Sequence, residues 1–149
     1  MAKVVAVCVS AEKGMVKTPV EAAELRAGFG LVGDAHAGAG HRQVSLLGKE
    51  SVDKMGEGFR EKLVPGVFAE NILTEGIALC ELPLGTKLRA GTALLEITQI
   101  GKECHSACAI RRLVGDCVMP REGVFAVVLE GGTLRPGDSV DVEPPREEY

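Results

Sequence analysis

The chain has 149 residues, a formal net charge of −4 and 46% hydrophobic content, with only four Phe, one Tyr and no Trp. That length predicts a single domain over residues 1–149, able to fold without the help of a metal or a disulfide. Scattered basic residues and scarce aromatics argue against a nucleic-acid binder, though an anionic small molecule could still meet a local basic pocket, and the lack of any apolar run of roughly 18 residues excludes a membrane-spanning helix.

Residues 3–9 are apolar and β-branched and predict a first strand buried on both faces. An export signal is a poorer reading of this stretch, because it is brief and runs directly into Glu12 and Lys13. Without such a signal the five cysteines are expected reduced, in the cytoplasm. Glu12–Thr18 is a polar break. Thr18-Pro19 followed by Glu21 suits either a capped helical turn or an edge strand carrying Val20.

Residues 28–41, GFGLVGDAHAGAGH, are too rich in glycine for regular structure and predict a surface loop. Gln43–Leu47 predicts a strand. Glu50–Leu63 has helical spacing at Val52, Met55, Phe59 and Leu63, weakened by Gly56 and Gly58. Pro65-Gly66 marks a turn before a strand at Phe68–Leu73. Further strands are expected at Thr86–Arg89, Ala93–Thr98, Val124–Glu130 and Ser139–Val142. They are separated by turns at Gly91, Gly131-Gly132 and Pro136-Gly137-Asp138. Cys108–Val114 has the spacing of a short helix ended by Gly115, and residues 143–149 form a frayed Pro- and Glu-rich tail.

This pattern predicts a mostly β fold, a closed or partly open β-barrel with a few short helices; a sandwich is the rival. A doubly wound α/β fold would need regular crossover helices, which are missing from the pattern.

The chemistry concentrates in two places. Three cysteines, Cys104, Cys108 and Cys117, fall close together beside His105. Cys104 follows a predicted strand and precedes a helix-like segment, with Lys102, Arg111 and Arg112 near it in sequence. Such a thiol can be held as thiolate, which attacks a disulfide, carries a transferred sulfur or binds a soft metal. A buried packing role remains the bland reading. Cys104, Cys108 and Cys117 could instead hold zinc, although their spacing matches no standard zinc ribbon or finger. Cys8 and Cys80 sit in apolar surroundings and read as packing residues.

The second place is the glycine loop. His36 and His41 could act as proton shuttles or ligands, with Asp34 fixing a tautomer, or could simply cap turns. Arg42 follows directly, and its guanidinium could grip a phosphate or carboxylate with two parallel hydrogen bonds. Asn71 could contact a ligand or order a loop, and Glu70 could pair with Arg42. Ser45 lacks the context of a nucleophile elbow, no HExxH helix is present, and the glycine loop is not a P-loop.

Three stretches together carry a resemblance. They are Gly33-Asp34-Ala35-His36-Ala37-Gly38 with His41-Arg42-Gln43, then Gly66-Val67-Phe68-Ala69-Glu70-Asn71-Ile72, and Ile100-Gly101-Lys102-Glu103-Cys104-His105. With the later Gly115–Phe125 run, the chain resembles a stand-alone prokaryotic member of the MOSC domain family, named for the C-terminal domain of molybdenum cofactor sulfurase. The resemblance implies a β-barrel-like fold and a cysteine at position 104 that either accepts a persulfide sulfur or ligates molybdenum. It implies a molybdopterin-type molybdenum cofactor near His36, Arg42 and Asn71, and a separate cysteine desulfurase or a molybdoenzyme as partner. No pyridoxal phosphate is expected in this chain. If it is catalytic, the expected activity is that of a sulfur transferase working with that desulfurase. Cys108 and Cys117 depart from the larger relatives; they could resolve a persulfide or bind a metal.

Overall fold

The computed structural model describes residues 2–11, 16–35, 37–38, 40, 42–53, 65–66, 68, 70–101 and 122–143. The segment Lys3–Val9 forms strand β1, as its β-branched run requires. The ambiguous segment resolves as an edge strand, β2 (Thr18–Val20), paired antiparallel to β1. Pro19 lies opposite Cys8 in this ladder, and an edge tolerates a residue that cannot donate.

Strand is present where a loop was expected. β3 (Ala23–Arg26) and β4 (Gly30–Leu31) pair antiparallel, so the glycine-rich segment begins inside a small sheet. Gly30 permits this at φ +122, where a Cβ would press on the Gln43 carbonyl oxygen at 2.7 Å. β5 (Val44–Gly48) is buried along its whole length, and α1 (Lys49–Asp53) follows at once. The remainder of the expected helix, residues 54–64, lies outside the described residues.

β6 (Ile72–Glu75) starts later than its apolar run predicts, because Glu70 folds its carboxylate back on the preceding turn. A single 3₁₀ turn, Leu79–Glu81, comes next. β7 (Lys87–Ala90) and β8 (Ala93–Ile100) form a hairpin, β9 (Val124–Glu130) has the expected bounds, and β10 (Gly132–Leu134) and β11 (Val140–Val142) end the described chain.

The large sheet has the order β11-β7-β8-β9-β5-β6-β1-β2, and the small one β10-β3-β4. Only β5 and β6 run parallel among the ladders of the large sheet; the other pairs are antiparallel. Among the described residues the sheets do not close, since the edge strands β2 and β11 lie at opposite ends of the order. The start of β1 nonetheless meets the turn before β11. Lys3 bridges Ser139, and Gly137 N and Val4 N donate to Val4 O and Asp138 O, both at 2.8 Å.

Both sheets feed one core. Leu25, Leu31 and Leu134 of the small sheet pack in the same cluster as Leu46, Ile72, Leu88, Leu95 and Ile97 of the large one. Burying each such side chain stabilises the fold by about 1.5–3 kcal/mol before the loss of chain entropy. Across the large sheet the register sets a transverse row. Gln99 faces Phe125, Phe125 faces Ser45, and Cys8 faces Pro19. Asn71 completes the row, donating its N–H to Ser45 O at 2.9 Å and accepting from Cys8 N at 2.7 Å.

Candidate functional site

Arg42 lies one residue before Gln43, at the entrance to β5. Its Nε donates to Gln99 Oε1 at 2.9 Å, and its guanidinium carbon lies 5.3 Å from the centroid of the Phe125 ring. The stack and the hydrogen bond fix the plane of the fork. A cation–π contact at an exposed site contributes about 0.5–1 kcal/mol. Among the described residues no carboxylate is paired with the terminal guanidinium nitrogens, and a guanidinium edge of this kind matches two oxygens of an anion.

Gln99 faces both ways, because its Nε2 donates to Gly101 O at 2.8 Å. Gly101 N in turn donates to Gly123 O at 2.6 Å. Gln43 fixes the other side of Arg42: its Oε1 accepts from Val128 N at 3.0 Å and its Nε2 donates to Gly40 O at 3.2 Å. The exit of the glycine loop is therefore fastened to β9 by a buried amide.

Asn71 is fully buried. Its Oδ1 accepts from Ser45 N at 2.9 Å and Ser45 Oγ at 3.1 Å, and its Nδ2 donates to Cys8 O at 3.1 Å. It thus ties β5, β1 and the entrance to β6 together, inside the row that ends at Gln99.

Asp34 and Lys17 form a wholly buried ion pair, 2.7 Å from Oδ1 to Nζ. Ser10 joins it: its N–H donates to Asp34 Oδ1 at 3.0 Å, and Lys17 Nζ donates to its hydroxyl at 3.3 Å. Ala35 N also donates to Ser10 O at 2.8 Å, pinning the first half of the glycine loop to the end of β1. Burial of both charges is made tolerable by these extra hydrogen bonds.

Glu70 does not pair with Arg42. Its carboxylate is buried and accepts from Gly66 N at 2.9 Å and Phe68 N at 3.1 Å. Burial pushes its pKa up to about 7, and the backbone N–H groups of Gly66, Glu70 and Phe68 and nearby Lys17 only partly offset this. Cys8 is buried and its thiol is pushed up to about 12, first by desolvation and then by Glu70. It is an inert packing residue, as its sequence context suggested.

Cys80 is half-buried rather than sealed, and lines a cleft of about 290 Å³ with Glu50, Ser51, Ile77, Glu81 and Glu122. Among the described residues no three His, Cys, Asp or Glu side chains gather in a way that could hold a metal. No helix among them is long and apolar enough to cross a membrane. Cys104, Cys108, Cys117, His36, His41, Lys102 and Arg111 lie outside the described residues.

Sequence reasoning found Arg42 but missed the residues that hold it. Gln99 looks like an ordinary outward strand residue, and its signal appears only once the register sets it opposite Phe125. Lys17 looked like part of a solvated polar break and carries no local sign that it is buried.

The family model described as MOSC domain matches residues 33–141. No curated protein matches the chain. Several solved structures share its fold, three of them as follows. The YUAD protein from Bacillus subtilis has 19% identity over 95% of this chain and 94% of its own, with a TM-score of 0.76. YiiM from Geobacillus stearothermophilus has 21% identity over 97% of this chain and 76% of its own, with a TM-score of 0.75. YiiM from Escherichia coli has 18% identity over 99% of this chain and 72% of its own, with a TM-score of 0.69.

Proposed function

From the premise that this chain belongs to the MOSC domain family, associated with molybdenum cofactor sulfurase-like proteins, we propose that it is a cytoplasmic accessory protein that carries sulfur for a molybdopterin-type cofactor. Cys104 is the acceptor thiolate and Arg42 holds the phosphate of the cofactor that receives the sulfur. The observation that supports this is the Arg42 fork, stacked on Phe125 and held by Gln99 with its outer edge unpaired by carboxylate among the described residues.

The donor set suits a phosphate. A guanidinium held in plane matches two phosphate oxygens at once, which a lysine ammonium does not. Gly101 is three residues before Cys104, a chain length of at most about 10 Å. That length of chain would let a thiolate at position 104 reach an anion held on Arg42. Lys102 and Arg111 add positive charge near that thiolate in the sequence, and His36 or His41 supplies an imidazole to take or give its proton. Asn71 keeps β1, β5 and β6 in register behind Arg42.

The transfer step conserves oxidation state. The Cys104 thiolate attacks the outer sulfur of a persulfide on a separate desulfurase. A sulfur–sulfur bond forms at Cys104, the donor's sulfur–sulfur bond breaks, and the donor leaves as thiolate. Cys108 or Cys117 could resolve the product by forming a disulfide with Cys104 and releasing hydrosulfide.

Incubation with a cysteine desulfurase and free cysteine should add one sulfur atom to the peptide containing Cys104, detected by mass. Cys104→Ala should abolish the gain, while Arg42→Met should leave it intact and weaken phosphate binding. No gain on the wild-type chain, together with molybdenum co-purifying from a cofactor-competent host, would replace sulfur transfer with direct ligation by Cys104.

A further inference from the structure

Gln99 touches two elements that the proposed chemistry uses together, the Arg42 fork and the backbone that leads to Cys104. Its carbonyl oxygen receives the Arg42 Nε–H at 2.9 Å, and its amide nitrogen donates to the Gly101 carbonyl at 2.8 Å. Gly101 is also where the chain departs toward Cys104, and its own N–H is fixed to Gly123 O at 2.6 Å. One primary amide is thus the link between a guanidinium and the backbone at the root of the cysteine-bearing segment.

We infer that Gln99 is a positioning residue that sets the orientation of the Arg42 fork and couples anion occupancy there to the backbone at Gly101. This rests on the reading of Arg42 as the phosphate grip. An Arg Nε–H facing a carbonyl oxygen has its in-plane rotation fixed, and Phe125 restrains the tilt of the same plane. When an anion draws charge onto the outer nitrogens, the Nε–H to Oε1 bond changes strength. The same amide, polarised at its oxygen, then donates more or less strongly to Gly101 O. A side chain with an oxygen but no N–H can serve the first half of this relay and not the second.

The test uses inorganic phosphate as probe and nitrogen-15 NMR on the full chain, following the Arg42 Nε–H, the Gln99 side-chain amide and the Gly101 backbone amide. In the wild-type chain all three should shift with one midpoint. Gln99→Met should weaken phosphate binding by about tenfold, as expected for loss of a hydrogen bond to a charged group, and should silence the response at Gly101. Gln99→Glu should keep an Arg42 shift, at a weaker midpoint because the added carboxylate repels phosphate, while Gly101 again falls silent, which a merely structural role for Gln99 would not produce.

Gly101 responding at an unchanged midpoint in both variants would overturn the coupling while leaving the phosphate grip standing. Absence of any phosphate response in the wild-type chain, or one untouched by Arg42→Met, would overturn the grip and the coupling with it. Should Gln99→Met fail to fold, the Gln99→Glu comparison alone decides between these outcomes.

Discussion

Lys17 Nζ lies 2.7 Å from Asp34 Oδ1, and neither side chain is reached by solvent. The two residues are 17 positions apart, and the contact locks the glycine loop against the end of β1 through Ser10. Removing Lys17 takes from the buried Asp34 carboxylate the opposite charge that offsets its desolvation. Lys17→Met is therefore expected to cost about 3–5 kcal/mol. The double variant Lys17→Met with Asp34→Leu removes both charges together and is expected to cost less than the single variant, about 1–3 kcal/mol. Urea unfolding checks the order. A single variant milder than the double would mean that the pair is not sealed from water.

Glu70 gives the fold a pH dependence with a definite sign. Its pKa rises from 4.5 to about 7 on folding, chiefly through burial. The native state then holds more protons than the unfolded chain between those values, so stability falls as pH rises through that window. The contribution is complete below about 4.5 and gone above about 7, a change on the order of 3 kcal/mol. Glu70→Gln removes the titration and should flatten this part of the stability profile. Lys17 and Cys8 are the titratable groups that face it, and the Gly66 and Phe68 N–H groups are its donors. Unfolding free energies at several pH values from 4.5 to 8 on both proteins decide it, as parallel curves would remove Glu70 as the cause.

Strand positions were readable from the sequence wherever one physical signal dominated. Val124–Glu130 was found with its bounds intact because an apolar run ends in turn residues on both sides. Phe68–Leu73 was placed too early because apolar character alone cannot show that Glu70 bends back on Gly66 and Phe68. Arg42 stood out by chemical type beside an unusual loop. Its partners Gln99 and Phe125 are 57 and 83 residues away along the chain, joined to it only by pairing register. Asn71 shows the opposite limit: its amide type was legible, but its partners, Ser45 and Cys8, belong to other strands.

Two thiols should differ sharply in reactivity. Cys8 is sealed and its thiol is pushed up to about 12, so almost no thiolate forms near neutrality. Cys80 lines a cleft and is partly open to solvent. Iodoacetamide at pH 8 is expected to label Cys80 in the native protein within the time that leaves Cys8 unmodified. Peptide mass mapping reads both sites, with labelling in urea as the control for Cys8. Equal rates in the native protein would mean that the β1–β2 ladder opens readily around Cys8.

Gly66 and Gly85 form a matched pair that separates backbone strain from collision. Their φ angles are +90 and +87, so an added side chain meets nearly the same conformational penalty at each, about 1 kcal/mol. A Cβ on Gly85 would meet nothing within 4 Å. On Gly66 it would run into the Lys17 carbonyl oxygen and carbon, and the backbone there cannot withdraw without breaking the bond from Lys17 N to Gly66 O, 2.8 Å long. Withdrawal also pulls Gly66 N from the Glu70 carboxylate. Gly85→Ala should therefore cost about 1 kcal/mol, and Gly66→Ala several times more, about 3–5 kcal/mol once one or two buried hydrogen bonds are lost. Denaturation midpoints of the two variants, measured side by side, test this directly, and equal losses would leave φ as the whole cause and remove the steric contact from the account.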